Sequence, residues 1–382
     1  MNRPAGKARG FQGLAALAGA PSAAAMRRAL LDRYPGFDPS GLHELAVLGA
    51  AEEGGRLARI CAVRGIEVRA VCDDDPARVG SRLAGHRVRP LAVLDGLDRA
   101  IPVVVASHRV LGAIERLRGM GFTSVAPFAL LQVLDRAAFP PHMFYHGWLE
   151  DLARNRSRYG RLYETLADDA SRRTLDAVIG FRLTLDPAVL KPVLDGDLYL
   201  PRELTTLKPD EVYVDAGAYD GDSVRLFVER TGGRFKRVLA FEPGAAAFER
   251  LAANCAGDPR IEPINKGLYS RSTTLGFDGA GQRGAALSET GTAEVPVVAL
   301  DQVLGGDPVT FIKMNIEGAE LEALEGARRA IARWQPRLAI SAYHRPGDLW
   351  QVPAKLRRLR PDCRLYLRQH DGGVIETVAY AV

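Results

Sequence analysis

Val214-Asp215-Ala216-Gly217-Ala218-Tyr219-Asp220-Gly221-Asp222-Ser223 is the stretch on which the fold turns. With Val212-Tyr213 before it and Val224–Glu229 after it, it predicts a buried strand, an acidic glycine-containing loop and a helix. In open parallel sheets, ligands bind beyond the carboxyl ends of the strands. Gly217 and Gly221 let the backbone turn and approach a ligand with no Cβ in the way. Ser223 is placed to cap the helix. The charge of the loop narrows the ligand. A phosphate cradle of the G-x-x-x-x-G-K-[ST] kind uses backbone N–H groups and a lysine. This loop has no lysine and carries Asp215, Asp220 and Asp222. It repels a triphosphate and suits an ammonium or sulfonium group.

Further along the chain, Val238-Leu239-Ala240-Phe241 predicts the next strand, ending at Glu242-Pro243. An acid there can accept hydrogen bonds from the 2′ and 3′ hydroxyls of a ribose, and such charge-assisted bonds are short and strong. An acidic glycine loop followed by a ribose acid points to S-adenosylmethionine. The expected contacts are Asp215, Gly217, Tyr219, Asp220, Gly221 and Glu242, with Asn265, just past a third strand at Ile261–Ile264, near the adenine. Two more segments lie at the same predicted sheet edge: Phe311-Ile312-Lys313-Met314-Asn315-Ile316-Glu317-Gly318-Ala319-Glu320 and Ser341-Ala342-Tyr343-His344-Arg345-Pro346.

Taken together, these segments resemble the FkbM family of S-adenosylmethionine-dependent methyltransferases. Phe311 to Glu320 is similar to the family's signature segment, and the likeness runs from about Glu211 to Val382. It includes the Asp215–Asp222 loop, Phe241-Glu242-Pro243 and Tyr343–Trp350. The resemblance implies a class I methyltransferase fold and, in most characterised members, O-methylation of sugar or polyketide hydroxyls. The chain departs from the family at Asn315, where Asp is usual; the amide can still orient cofactor or substrate. The leading expectation is methylation of a sugar or glycan hydroxyl. Methylation of a small natural product and a non-catalytic nucleotide-binding or scaffold protein are the alternatives.

A hydroxyl acceptor must lose a proton, so a base within hydrogen-bond reach helps. His344, at the end of a predicted strand, is the first choice, because an unperturbed histidine titrates near neutral pH. Glu317 is the second. Lys313 either positions the acceptor and stabilises developing alkoxide charge or pairs with Glu317.

The amino-terminal half predicts a separate α/β unit. Leu45–Leu48, Ile66–Cys72, Val103–Val105 and a segment from Val125 read as strands, with helices at Leu57–Val63 and Val110–Met120. Such alternation implies a parallel sheet. Gly49-x-Ala51-x-x-Gly54 is a relaxed dinucleotide fingerprint, with Ala in place of the second Gly and Asp73 as the ribose acid. The segment resembles Rossmann-like domains of sugar-modifying enzymes, with Gly80 and Gly85 as turn residues. It is read in three ways: a nucleotide or nucleotide-sugar site, a degenerate fold serving assembly or acceptor placement, or a dehydrogenase using His108.

The expected organisation is an arm and helix over 1–40, a Rossmann-like domain over 41–138, an aromatic-rich helical connector over 139–208 and the methyltransferase domain over 209–382. The fold class is α/β with two parallel sheets. Hydrophobic residues at 47% and charged residues at 25% exclude a disordered or fibrous chain. The formal charge is +5, and 44 of 51 basic residues are Arg, spread among acids; this reads as solvated surface rather than a nucleic-acid footprint. Cys61, Cys72, Cys255 and Cys363 have neither zinc spacing nor the density of a disulfide framework, so no metal site is read and reduced thiols in a cytoplasm are expected. No apolar run is long enough for a membrane span. Arg3, Lys7 and Arg9 before Leu14–Ala20 suggest a frayed arm entering a helix rather than a signal peptide. The expected partner is a small-molecule or glycan acceptor, selected by variable loops such as 279–292.

Overall fold

The run Leu45-Ala46-Val47-Leu48 lies in β1 (Glu44–Leu48), and all four side chains are buried. A continuous rather than alternating apolar run suits a parallel strand covered on both faces. The computed structural model describes residues 12–278, 286–288 and 293–382. Its chain divides into two units: one takes residues up to Arg161 with Arg172–Leu194 and Asp371–Ile375, the other Leu162–Ser171, Asp195–His370 and Glu376–Val382.

In the amino-terminal unit, β2 (Glu67–Cys72), β3 (Arg82–Leu83), β4 (His86–Arg89), β5 (Val103–Val105) and β6 (Val125–Pro127) join β1 in the order β3-β4-β2-β1-β5-β6. All pairings are parallel except β3 with β4. The Glu52–Arg64 helix closes on Gly65 in the left-handed conformation, which glycine adopts without a Cβ penalty. The sequence reading of Gly80 and Gly85 as turn residues did not include the β3–β4 hairpin. Its strands are charged, with only Val88 fully buried in β4, and its tight turn puts both Ala84 and Gly85 at positive φ. Upstream, Ser22 caps the Ala23–Arg33 helix by accepting the Ala25 N–H.

The carboxy-terminal unit holds β7 (Val212–Ala216), β8 (Arg237–Phe241), β9 (Ile261–Ile264), β10 (Gly267–Leu268), β11 (Thr273–Asp278), β12 (Ala286–Ser288), β13 (Ala293–Val298), β14 (Phe311–Met314), β15 (Arg337–Ser341), β16 (Leu365–Gln369) and β17 (Thr377–Ala381). Its main sheet runs β16-β17-β15-β14-β7-β8-β9. The five strands from β15 to β9 are parallel, and β17 is antiparallel to both its neighbours. Strand order reverses between β7 and β14, which creates the crevice where such sheets bind ligands. This is the α/β architecture expected from the sequence. Thr273–Phe277 and Val295–Leu300, which the sequence pattern predicts as two antiparallel additions, fall largely in β11 and β13, which pair in a separate four-stranded sheet, β10-β13-β11-β12. Most of the 279–292 loop lies outside the described residues.

Aromatic packing fixes the Asp222–Thr231 helix on this sheet. Tyr213 stacks on Phe227 at 4.4 Å between ring centroids and meets Phe311 at 5.2 Å. Phe227 in turn meets Phe235 edge-on at 5.8 Å. The sequence pattern predicts one helix from Leu321 to Trp334, and the chain forms two there, Glu320–Gly326 and Arg328–Trp334. At the break, Gly326 lies so close to the Tyr269 carbonyl that an added Cβ would sit 2.0 Å from its oxygen.

Candidate functional site

Asp215, near the end of β7, is fully buried. Its Oδ1 pairs with Lys313 Nζ at 2.8 Å, and its Oδ2 accepts from Ser223 Oγ at 2.6 Å. Lys313 lies on β14 directly opposite Asp215 in the parallel register and is 2% exposed. Its ammonium also donates to the Gly217 carbonyl at 2.8 Å and lies 5.0 Å from the centre of the Tyr199 ring. Lys313 therefore spends its donors on the strand and loop rather than on Glu317. Ser223 does not cap its helix: Gly221, at φ 91°, is the cap residue, and the serine hydroxyl turns inward to Asp215. Gly217, at φ 78°, passes so close to Asn315 that a Cβ would lie 1.9 Å from its carbonyl oxygen. A buried ion pair and a glycine contact thus weld the Gly loop to the end of β14.

Glu242 completes the loop's second attachment. Its Oε2 accepts the Tyr219 N–H at 3.0 Å and its Oε1 the Gly244 N–H at 2.8 Å. A carboxylate offers about four lone-pair sites, so both oxygens keep room for further donors. Burial raises the Glu242 pKa, against the lowering effect of these two N–H groups. Asn265 donates from Nδ2 to the Glu242 carbonyl at 2.9 Å, which ties the loop after β9 to the loop after β8. Asp220 Oδ1 is buried and has no hydrogen-bond partner among the described residues.

Asn315 bridges to the other side of the crevice. Its Nδ2 donates to the Tyr199 hydroxyl at 2.7 Å, and its Oδ1 accepts from the Tyr343 hydroxyl at 3.1 Å. An amide serves both contacts; a carboxylate could not donate to Tyr199. Tyr343 stacks against His344, with centroids 4.2 Å apart.

His344 is fully buried, with Nδ1 2.9 Å from Glu320 Oε1 and Nε2 3.5 Å from Glu317 Oε2. Burial alone would lower its pKa, but the Glu320 and Glu317 carboxylates outweigh it and raise the value to about 9. The expectation of an imidazole titrating near neutral pH is therefore revised. At pH 7 this ring carries two protons and offers no lone pair as a base. Glu317, held at φ 54°, has a side chain 26% exposed and is the least buried member of the group, although its Oε2 is buried. Asp348, which begins the Asp348–Leu359 helix, lies beside them and is pushed up to about 7 by burial and by Glu320.

The residues expected from sequence at the ends of β7, β8, β14 and β15 all fall in this one unit. Tyr199, Glu320 and Asp348 were not foreseen. A lysine inside the apolar strand Phe311–Met314 was the available signal for a buried partner; nothing in the sequence around Tyr199 marks it.

The amino-terminal unit repeats part of this geometry. Asp73, just past β2, accepts the Ala50 N–H at 2.6 Å through Oδ2 and the Asp75 N–H at 2.8 Å through Oδ1. Gly54 sits against the Gly49 carbonyl, where a Cβ would come within 1.9 Å of the oxygen. His108 meets the Tyr145 hydroxyl through Nδ1 at 3.1 Å, and burial, with His142 and Arg56, lowers its pKa to about 3. This is far from the near-neutral acid–base group a dehydrogenase needs. The four cysteines are all buried free thiols. No helix among the described residues is long and apolar enough to cross a membrane.

Residues 215–371 match the family model described as the methyltransferase FkbM domain. Over its length the chain is similar to a solved methyltransferase FkbM from Methylobacillus flagellatus KT, with 28% identity, 97% of each chain covered and a TM-score of 0.73. Partial likenesses include an rRNA methylase from Streptococcus thermophilus (18% identity, 46% of this chain and 86% of that one, TM-score 0.30). Another is a fibrillarin from Aeropyrum pernix (12% identity, 47% of this chain and 71% of that one, TM-score 0.32). No curated protein matches the sequence. Residues 215–371, which hold the welded Gly loop and the end of β14, are thus a methyltransferase FkbM domain, and the chain shares its fold with the solved methyltransferase FkbM of Methylobacillus flagellatus KT.

Proposed function

We propose that this domain uses S-adenosylmethionine to methylate a hydroxyl oxygen of a sugar or glycan. The observation that carries the reading is the acidic Gly loop itself, anchored from below by the buried Asp215–Lys313 pair and joined to Glu242 through the Tyr219 N–H. This last contact ties the acid suited to a ribose diol to the acidic loop suited to a cation. The unpartnered Asp220 Oδ1 fits the same ligand, since a buried carboxylate oxygen calls for a donor or a positive charge. Bound S-adenosylmethionine supplies an electrophilic methyl carbon and, in its amino-acid part, an ammonium group. Glu242 would accept from the ribose hydroxyls, and Asp220 would accept from the ammonium. Gly217 and Gly221 keep the loop low enough to be approached. Asp215 and Lys313 act beneath the ligand as positioning residues that hold the loop to β14. Asn265 and Asn315 steady the loops on either side.

On the acceptor side Glu317, the least buried carboxylate of the group, orients the acceptor hydroxyl and takes up its proton. His344 backs Glu317 as a buried cation rather than serving as the base. The sugar or glycan acceptor follows from the family resemblance, and a sugar hydroxyl suits a carboxylate-lined mouth. The test is transfer of radiolabelled methyl groups to a panel of free sugars, nucleotide-sugars and cell glycans. The proposal expects label on a hydroxyl oxygen, and a Glu317→Gln protein with a much lower kcat but unchanged affinity for S-adenosylhomocysteine. Label found only on nitrogen or carbon, or on none of the acceptors, would defeat the reading.

A further inference from the structure

We infer that Glu320, His344 and Asp348 form a binding site for one divalent transition-metal ion beneath the acceptor side of the crevice. Each of the three offers a ligand atom, and these atoms all lie within 4.8 Å of one another. A cation about 2.0–2.2 Å from each ligand needs them no more than about 4.4 Å apart, so the three have to draw in only slightly to hold one ion. All three side chains are at most 3% exposed. The site is more than a gathering of acids, because its parts are already oriented. The Ile316 N–H holds Glu320 Oε1 at 2.8 Å, and the Arg345 N–H holds Asp348 Oδ2 at 2.7 Å. Glu320 Oε2 is left buried with no hydrogen-bond partner among the described residues, and an orphaned buried carboxylate oxygen calls for a cation.

The histidine is arranged as metal-binding histidines are. With Nδ1 toward Glu320, its Nε2–H faces Glu317 at 3.5 Å, the carboxylate–histidine–metal pattern that fixes the tautomer of a ligating ring. One imidazole and two carboxylates suit Mn²⁺, Fe²⁺ or Zn²⁺ better than a soft ion. Binding would displace the proton shared between His344 and Glu320 and release it to solvent. The inference does not depend on the acceptor proposed above: a protein that binds the metal but methylates no sugar would leave it standing.

The test is titration of the chelator-treated full-length protein with MnCl₂, followed by calorimetry and electron paramagnetic resonance. The expected result is one Mn²⁺ per chain with a nitrogen coupling from a single imidazole. His344→Gln should lose that coupling, and His344→Gln and Asp348→Asn should each weaken binding at least tenfold. Glu317→Gln, which alters only the outer partner, should weaken it by about tenfold. Glu322→Gln, on the exposed face of the same helix as Glu320, should change nothing. Thermal melts establish that each variant is folded. If a variant does not fold, the wild-type titration still decides. Failure of wild-type protein to bind Mn²⁺ or Zn²⁺ at millimolar concentration overturns the inference, as does full binding with the nitrogen coupling intact in folded His344→Gln and Asp348→Asn.

Discussion

The two units solve the same packing problem with different chemistry. Each has a glycine after its central strand, and each has an acid after the next strand that accepts an N–H from that glycine loop. Asp73 takes the Ala50 N–H, and Glu242 takes the Tyr219 N–H. This shared feature therefore belongs to the fold and does not by itself mark a ligand site. The difference lies beneath and around the loop. In the carboxy-terminal unit the Asp215–Lys313 pair anchors the loop from below. In the amino-terminal unit the corresponding strand positions, Val47 on β1 and Val104 opposite it on β5, are apolar. There the acid is also satisfied by its own turn and by Arg78 at 3.4 Å, and the following helix opens with Glu52 and Glu53, negative charge that disfavours a pyrophosphate at its start.

The largest effect expected from this contrast is at Lys313. Lys313→Met leaves Asp215 as a buried carboxylate without its cation, and breaking a buried pair in this way costs about 3–5 kcal/mol. Urea unfolding should register that loss. A cost below about 1 kcal/mol would remove the distinction between the loops.

Ligand affinity comes next. Each hydrogen bond to a charged group is worth about 1.5–3 kcal/mol, so Glu242→Ala should weaken S-adenosylhomocysteine at least tenfold by calorimetry. Asp73→Ala should leave that affinity unchanged. Equal losses in the two variants would mean that the acids are only parts of the fold.

The smallest effect is on stability and has opposite signs in the two units. Burial tends to raise the pKa of Asp73, but the Ala50 and Asp75 N–H groups and Arg78 outweigh it and lower the value. A lowered folded pKa means stability that is present above the ordinary aspartate range and lost as pH falls through the folded value. Asp73→Asn should therefore destabilise the protein at pH 7 and flatten its acid loss. Glu242 is raised by burial. Its contribution is fully present below the ordinary glutamate range and lost as pH rises through the folded value, so the ligand-free protein should lose stability there as pH rises. Melting temperatures measured from pH 3 to 8 separate the two cases. The same sign for both would erase the contrast between an acid settled in its fold and an acid kept ready for a ligand.

What the sequence made legible follows the same division. The strands of both sheets announce themselves as short apolar runs, and the Asp215 loop and Glu242 are readable because local pattern alone sets their places. Lys313 was visible, but its partner was not. The pair is 98 residues apart and exists only through the β7–β14 register. His344 lies just past β15, yet its charge state depends on Glu320 and Glu317, which the turn after β14 and the start of the next helix bring alongside. The β3–β4 hairpin and the break at Gly326 were hidden for a similar reason: one has charged strands, and the other depends on the approach of a distant carbonyl.

The central claim is that the crevice of the carboxy-terminal unit admits an adenosyl sulfonium and refuses phosphoryl groups. Calorimetry of the intact protein with S-adenosylhomocysteine, NAD⁺ and ATP in parallel tests it most directly. The account predicts saturable binding of the first, lost in Glu242→Ala, and no binding of the others that Glu242→Ala alters. Binding of NAD⁺ or ATP that depends on Glu242, with none of S-adenosylhomocysteine, would contradict it.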